Sequence, residues 1–163
     1  MNKARHRSVR TLVIDDSLSD VVLLRDAVDF QAFDVSLEVI HDGETALRLM
    51  ESCRDSNESP ADLIILDLNL PKVDGFEILD FLKKDHRLRA VPVIVMSSSS
   101  AEQDVRRAYL LGANAYVVKP ISLGEVMSTI RALAEFWFRT ARLLRENTAE
   151  APRIPDLGHA FGH

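Results

Sequence analysis

The feature that most constrains the fold of this chain is a fivefold alternation between short apolar runs and segments with helical periodicity. Helical patterns occupy residues 18–31, 43–54, 75–84, 101–111 and 122–145. The apolar runs between them are Thr11–Ile14, Val35–Ile40, Asp62–Leu66, Val91–Met96 and Ala115–Val118. Parallel strands need long crossover connections, and these connections are right-handed. The alternation therefore predicts an α/β fold with a doubly wound (βα)5 parallel five-stranded sheet.

The composition of the individual runs indicates where each strand lies in that sheet. Leu63–Leu66 and Val93–Met96 are continuously apolar, which is typical of parallel strands covered by helices on both faces. Val35–Ile40 alternates instead, with polar residues at positions 36 and 38, which indicates a strand at the edge of the sheet.

The length of 163 residues suits one domain with a terminal extension. We expect the folded domain to span residues 1–146, including an extended last helix. Proline and glycine recur in residues 147–163, where few apolar residues remain, so this segment is predicted to be a flexible C-terminal tail.

Charge and cysteine content limit the possible partners. The formal net charge of −5 gives no general attraction to nucleic acid or to anionic membranes. Cys53 is the single cysteine, so an internal disulfide is impossible, and the basic amino terminus precedes only a short apolar run. We therefore expect a cytoplasmic protein with no nucleic-acid partner and no membrane segment.

Polar residues interrupt the pattern at the carboxyl ends of four predicted strands. Asp15-Asp16 follow the first strand, Asp67 the third, Ser97 the fourth, and Lys119 the fifth. In an open α/β sheet these ends form one rim, where such folds place their sites. Each residue alone has an ordinary explanation, such as a helix cap, a turn or a solvated lysine. Because all of them fall at one rim, their combination favours a functional site.

The residue types suit phosphoryl transfer. Three crowded carboxylates repel one another and offer the hard oxygen ligands that Mg²⁺ prefers, so Asp15 and Asp16 are predicted to hold the ion. Asp67 is the candidate nucleophile, because it follows the predicted central strand and an aspartate can form an acyl phosphate. Lys119 and the Ser97 hydroxyl would contact phosphoryl oxygens. The backbone carbonyl of Asn69 is a further candidate metal ligand.

This set of residues resembles the receiver domain of bacterial two-component response regulators. The resemblance implies a flavodoxin-like strand order 2-1-3-4-5, a phosphohistidine donor on a sensor histidine kinase, and a signalling module that is not an enzyme. It also implies a cis peptide bond before Pro120. Tyr116 would be an aromatic switch residue, rotating when Ser97 moves and repacking the face of the fourth helix, fifth strand and fifth helix. The motif residues are Asp15-Asp16, Asp67-Leu-Asn-Leu-Pro71, Asp74-Gly75, Ser97 and Lys119-Pro120.

The predicted last helix is longer than this sheet requires. Its 24 residues, 122–145, would extend about 36 Å. Phe136-Trp137-Phe138 would place aromatic rings on three helix faces, so at least one ring is expected to serve a partner. Ala134-Glu135-Phe136-Trp137, with the long loop before the third strand, resembles the small response regulators paired with bacterial phytochromes. That resemblance implies a light-sensing histidine kinase as donor and a homodimer formed through the last helix.

Two other functions share part of this residue pattern. A phosphatase of the haloacid dehalogenase type also attacks with an aspartate after a strand, but it usually carries a second aspartate two residues later, where this chain has Asn69. A phosphorylation-silent pseudo-receiver would have lost an acidic or lysine position, and none is lost here. No recognisable output domain follows residue 146, so we expect a single-domain response regulator that signals by binding.

Overall fold

The computed structural model describes residues 8–30 and 33–144, and within them five parallel strands and five α-helices. The sheet order is β2-β1-β3-β4-β5, which confirms the predicted doubly wound topology. The strands are β1 Val9–Ile14, β2 Val35–Ile40, β3 Leu63–Leu66, β4 Val93–Ser97 and β5 Ala115–Val118. The helices are α1 Leu18–Phe30, α2 Gly43–Ser56, α3 Gly75–Lys84, α4 Glu102–Leu111 and α5 Leu123–Ala134.

The position of each strand follows from its apolar pattern. All four residues of β3 are buried, and this strand lies at the centre of the sheet. β2 alternates between half-buried and exposed residues and lies at one edge, as its sequence predicts. Helices cover both faces of the sheet, because one apolar cluster joins it to α2, α3 and α4 and a second joins it to α1 and α5.

Gly75 allows α3 to begin directly against the end of β3. A Cβ atom at this position would lie 2.3 Å from the backbone oxygen of Asp67. The Gly75 N–H donates to the carbonyl of Leu68 at 2.9 Å. The Asp74 side chain caps the helix by accepting from the N–H of Glu77. The loop that carries Asp67 is therefore held tightly against the start of α3.

The last helix differs from the prediction of one α-helix over residues 122–145. α5 ends at Ala134, a π-helical segment continues from Glu135 to Thr140, and residues 141–144 are not helical. The N–H of Ala141 donates to the carbonyl of Phe136 at 2.7 Å, five residues back, which defines the wider π turn. The predicted end at residue 145 and the predicted tail at 147–163 lie outside the described residues.

Tertiary packing accounts for the change of helix type. The Phe138 ring meets Phe33 edge-on, with 5.6 Å between ring centroids, and the Arg139 guanidinium lies over the Phe33 ring at 4.7 Å. Trp137 also packs against the core cluster of α1 and α5, so two adjacent aromatic side chains face the protein together. Phe136 remains 51% exposed, and the expectation that at least one of the three rings serves a partner stays a prediction.

The peptide bond before Pro120 is trans, as are the other peptide bonds of the described residues, so the predicted cis bond is wrong. An X–Pro bond prefers trans by about 0.5–1 kcal/mol. Among the described helices, none combines the length and the apolar character that crossing a membrane requires.

Candidate functional site

The three aspartates of the predicted site come together at the carboxyl ends of β1 and β3. Backbone hydrogen bonds extend the sheet past both strands, from Asp15 N–H to Ile40 at 3.0 Å and from Asp67 N–H to Ile14 at 2.9 Å. Carboxylate oxygens of Asp15, Asp16 and Asp67 all lie within 4.8 Å of one another. Asp15 and Asp67 are buried, whereas Asp16 is exposed.

Lys119 reaches this cluster from β5, at the edge of the sheet. Its own N–H donates to the carbonyl of Ser97 at 2.8 Å, which fixes the start of the side chain. Its ammonium nitrogen lies 2.8 Å from Asp15 Oδ2 and 3.0 Å from Asp67 Oδ2. The structure therefore brings the predicted lysine and two of the predicted carboxylates into direct contact.

Asp20 is a fourth carboxylate at the site, and it was missed from the sequence. Its Oδ2 lies 2.9 Å from the Lys119 ammonium. It stands in the first turn of α1, where an acidic residue is common simply because it favours the helix dipole. No sequence signal separates that ordinary role from a contact with a lysine 99 positions away.

The charges at the site are unevenly compensated. Burial raises the pKa of Asp15, and hydrogen bonds from Lys119 and from the Ser17 N–H offset this only in part. Burial alone would lower the pKa of Lys119, but hydrogen bonds to Asp15, Asp20 and Asp67 outweigh it and raise the pKa. The raised pKa of Asp15 and the raised pKa of Lys119 are consistent with each other. The Lys119 ammonium has three carboxylate partners, whereas those carboxylates share a single ammonium.

The donor set fits a divalent cation. Asp15, Asp16, Asp20 and Asp67 carry four negative charges when ionised, against the single positive charge of Lys119. Carboxylate oxygens are hard ligands, and a small divalent cation would relieve the remaining repulsion. The acidic cluster of Asp15, Asp16 and Asp67 is therefore suited to a divalent ion.

Ser97 and Asn69 flank the buried aspartate. Ser97 is fully buried at the end of β4, and its hydroxyl oxygen accepts the N–H of Ser99 at 3.2 Å. Asn69 is exposed, its N–H donates to Asp67 Oδ1 at 3.1 Å, and its side-chain amide donates to the Ser98 hydroxyl at 3.4 Å. The predicted role of the Asn69 carbonyl as a metal ligand stays a prediction.

Tyr116 connects β5 to the loop between β4 and α4. Its hydroxyl donates to the carbonyl of Ser99 at 2.9 Å, and its N–H donates to the hydroxyl of Tyr109 at 3.1 Å. Its ring packs against the core cluster of α2, α3 and α4. Tyr116 and Ser97 therefore both bond to the backbone of Ser99, one through its carbonyl and one through its N–H.

The comparison with known proteins agrees with this geometry. The family model of the response regulator receiver domain matches residues 11–131 of the chain. The chain is 35% identical to the probable methanogenesis regulatory protein FilR2 of Methanothrix harundinacea, over 77% of this chain and 81% of that protein. It is 33% identical to the response regulator Rcp1 of Synechocystis, over 81% of this chain and 90% of that protein.

Solved structures give the same result. The Mn²⁺-bound form of Rcp1 superposes with a TM-score of 0.78 at 31% identity, covering 84% of this chain and 99% of that chain. The phosphorylated cyanobacterial phytochrome response regulator RcpA gives 0.76 at 33% identity, covering 83% and 98%. These matches give no support to a phosphatase of the haloacid dehalogenase type. The protein belongs to the response regulator receiver domain family.

Proposed function

We propose that this chain is a phosphorylation-dependent signalling module in which Asp67 accepts a phosphoryl group from a sensor histidine kinase. The observation that carries the proposal is the contact of one lysine ammonium, at 3.0 Å or less, with the buried carboxylates of Asp15 and Asp67. Such a pairing orients Asp67 and supplies the positive charge that a phosphoryl group requires.

The residues around Asp67 prepare it as a nucleophile. Its side chain is only 7% exposed, and its two oxygens accept from the Asn69 N–H and from Lys119. The ionised carboxylate attacks phosphorus directly, so no general base is needed. Asp15, Asp16 and Asp67, with the carbonyl of Asn69, would hold Mg²⁺, which when bound supplies further positive charge for the phosphoryl oxygens.

The proposed switch runs through the backbone of Ser99. If the Ser97 side chain turns so that its hydroxyl donates to a phosphoryl oxygen, the hydroxyl oxygen moves away from the Ser99 N–H and that hydrogen bond is lost. The Ser99 backbone then moves, and the Tyr116 hydroxyl loses the carbonyl that holds it. Tyr116 can rotate as a result, which repacks the surface of α4, β5 and α5 in the manner of a two-state element.

The likeness to RcpA supports a phytochrome histidine kinase as the phosphoryl donor. We also propose that signalling takes place in the cytoplasm. The module assists only its own phosphorylation and dephosphorylation and turns over no separate substrate.

We also propose a homodimer formed through the segment after α5. The exposed Phe136 ring meets Trp137 edge-on, with 5.1 Å between ring centroids, so it presents a rigid aromatic surface. A two-fold partner would cover this ring, because C2 dimers are the commonest assemblies. Trp137 and Phe138 would act mainly by supporting Phe136 from inside the protein, since both pack on the core.

Intact mass spectrometry after incubation with acetyl phosphate tests the proposed function. We expect the wild type to gain one phosphate with Mg²⁺, and the Asp67→Asn variant to gain none. Asp29→Asn, an exposed aspartate at the far end of α1, is the control and should behave as wild type. Undiminished phosphate on Asp67→Asn would assign the acceptor elsewhere.

Lys119→Ala tests the switch separately. The variant is expected to accept some phosphate but to lose the coupling to Ser97 and Tyr116, because the lysine charge favours the repacked state. Phosphorylation-induced NMR shifts at Tyr116 of normal size in this variant would contradict the proposed role of Lys119.

A further inference from the structure

The Lys119 ammonium is fully engaged in this structure. A lysine ammonium has three N–H donors. Three carboxylates lie within hydrogen-bonding distance of it, Asp15 at 2.8 Å, Asp20 at 2.9 Å and Asp67 at 3.0 Å. A phosphoryl oxygen arriving at Asp67 can therefore be bonded by Lys119 only if one of these partners is released.

The three carboxylates are held with different firmness. The side chains of Asp15 and Asp67 are 8% and 7% exposed. Each also accepts a backbone N–H, from Ser17 and from Asn69 respectively. Asp20 is 35% exposed and projects from the first turn of α1, so water can solvate its carboxylate when Lys119 leaves it. Asp20 is therefore the partner that Lys119 can exchange at the lowest cost.

We propose that Asp20 acts as an electrostatic brake on phosphorylation of Asp67, because it retains one Lys119 donor and adds negative charge beside the incoming phosphoryl group. This inference rests on the proposed function. In the transfer from acetyl phosphate, an Asp67 oxygen forms a bond to phosphorus, the bond from phosphorus to the acetyl oxygen breaks, and acetate leaves with the electron pair. No proton moves, and the site becomes more negative, so a fourth carboxylate opposes the product. Asp20 is thus a positioning residue that acts through Lys119.

The test compares the initial rate of phosphate incorporation from acetyl phosphate, by intact mass, at saturating Mg²⁺ and at low and high ionic strength. The variants are Asp20→Asn, Asp20→Glu, which keeps the charge, and Asp26→Asn, which removes an exposed charge further along α1. Asp20→Asn should be about threefold faster than wild type at low salt, the effect of one unit charge about 6 Å away in a water-like dielectric. The gain should shrink at high salt, because a partly exposed charge is screened.

Asp20→Glu and Asp26→Asn should match the wild type, and thermal unfolding should show that all variants fold. A rate for Asp20→Asn equal to or below that of the wild type would overturn the brake while leaving phosphorylation of Asp67 intact. A gain that is unchanged by salt, or shared by Asp26→Asn, would also overturn it. Failure of every variant, including wild type, to take up phosphate would overturn the proposed function itself and this inference with it.

Discussion

At the carboxyl ends of the strands, buried charged side chains crowd together, whereas the opposite end of the sheet is closed by aromatic packing. The charged end brings Asp15, Asp67 and Lys119 into contact. At the aromatic end, Trp137 and Phe138 line a small cavity with Leu63, the first residue of β3. Burying charge costs free energy unless it is well paired, while burying aromatic rings is favourable. The aromatic end therefore stabilises a fold whose charged end is kept for chemistry.

The strongest test of this contrast between the stabilising aromatic end and the charged end is truncation of Trp137. Trp137→Ala should lower the free energy of unfolding by about 3 kcal/mol, because it removes a large, half-buried ring that packs against the core cluster of α1 and α5. Phe136→Ala is the matched control, since this ring is 51% exposed and its loss should cost under about 1 kcal/mol. Urea unfolding at low protein concentration measures both. Equal losses would mean that Trp137 is not part of the stabilising end.

Phe136 should matter more than Trp137 when dimerisation is measured, which is the reverse of the order expected for folding stability. Phe136→Ala is expected to weaken the proposed homodimer by about 2 kcal/mol, or about thirtyfold in Kd, as an exposed aromatic hot spot would. Leu110→Ala, a 76% exposed residue on α4, is the control. Sedimentation equilibrium gives the dissociation constants. A wild type that stays monomeric at tens of micromolar, with or without phosphorylation, would rule out the dimer.

The two ends also differ in how far the sequence predicts them. The positions of Asp15, Asp67 and Lys119 follow from the strand pattern, because parallel strands place their carboxyl ends at one edge. The position of Asp20 at the site does not follow from that pattern, since an acidic residue in the first turn of a helix has an ordinary local role.

The aromatic end escapes prediction for a different reason. Ile130, Leu133 and Trp137 recur at three- and four-residue intervals, which is α-helical spacing, and all three face the core cluster of α1 and α5. This spacing cannot show that the turn widens at Glu135, because that depends on Phe138 meeting Phe33, a residue 105 positions earlier on another element. Periodicity reports which side of a helix is apolar, but the contact that changes the helix type is tertiary.

Bound Mg²⁺ should partly relieve the repulsion among the carboxylates at the charged end. We expect the ion to raise the free energy of unfolding by about 1.4 kcal/mol at ten times its Kd. Asp16→Asn should lose most of this gain, because Asp16 is one of the three clustered carboxylates. Asp26→Asn should keep it. Thermal unfolding with and without Mg²⁺ measures the difference, and an undiminished gain in Asp16→Asn would show that Asp16 is not a ligand.

The smallest expected effect concerns the cost of charge at Asp15 in the absence of metal. The pKa of Asp15 is raised by burial, so its ionised form is disfavoured in the folded protein. The fold therefore loses stability as pH rises from the unfolded pKa of this carboxyl through its folded pKa. Asp15→Asn removes this loss, and the melting temperature in EDTA should rise by about 2 °C.

Asp62→Asn is the informative control for that measurement, because Asp62 is also a buried carboxylate but lies beside its own cation. Its side chain is 1% exposed, it lies 3.4 Å from Arg10 Nη2, and it accepts the Arg10 backbone N–H at 2.9 Å. Removing its charge leaves the guanidinium without that partner, so Asp62→Asn should lower the melting temperature. A rise in melting temperature for Asp15→Asn together with a fall for Asp62→Asn would show that sharing one ammonium, rather than burial alone, makes the charged end costly. If Asp15→Asn instead lowers the melting temperature as much as Asp62→Asn, the carboxylates at the site are as well compensated as an ordinary ion pair, and the contrast between the two ends of the sheet fails.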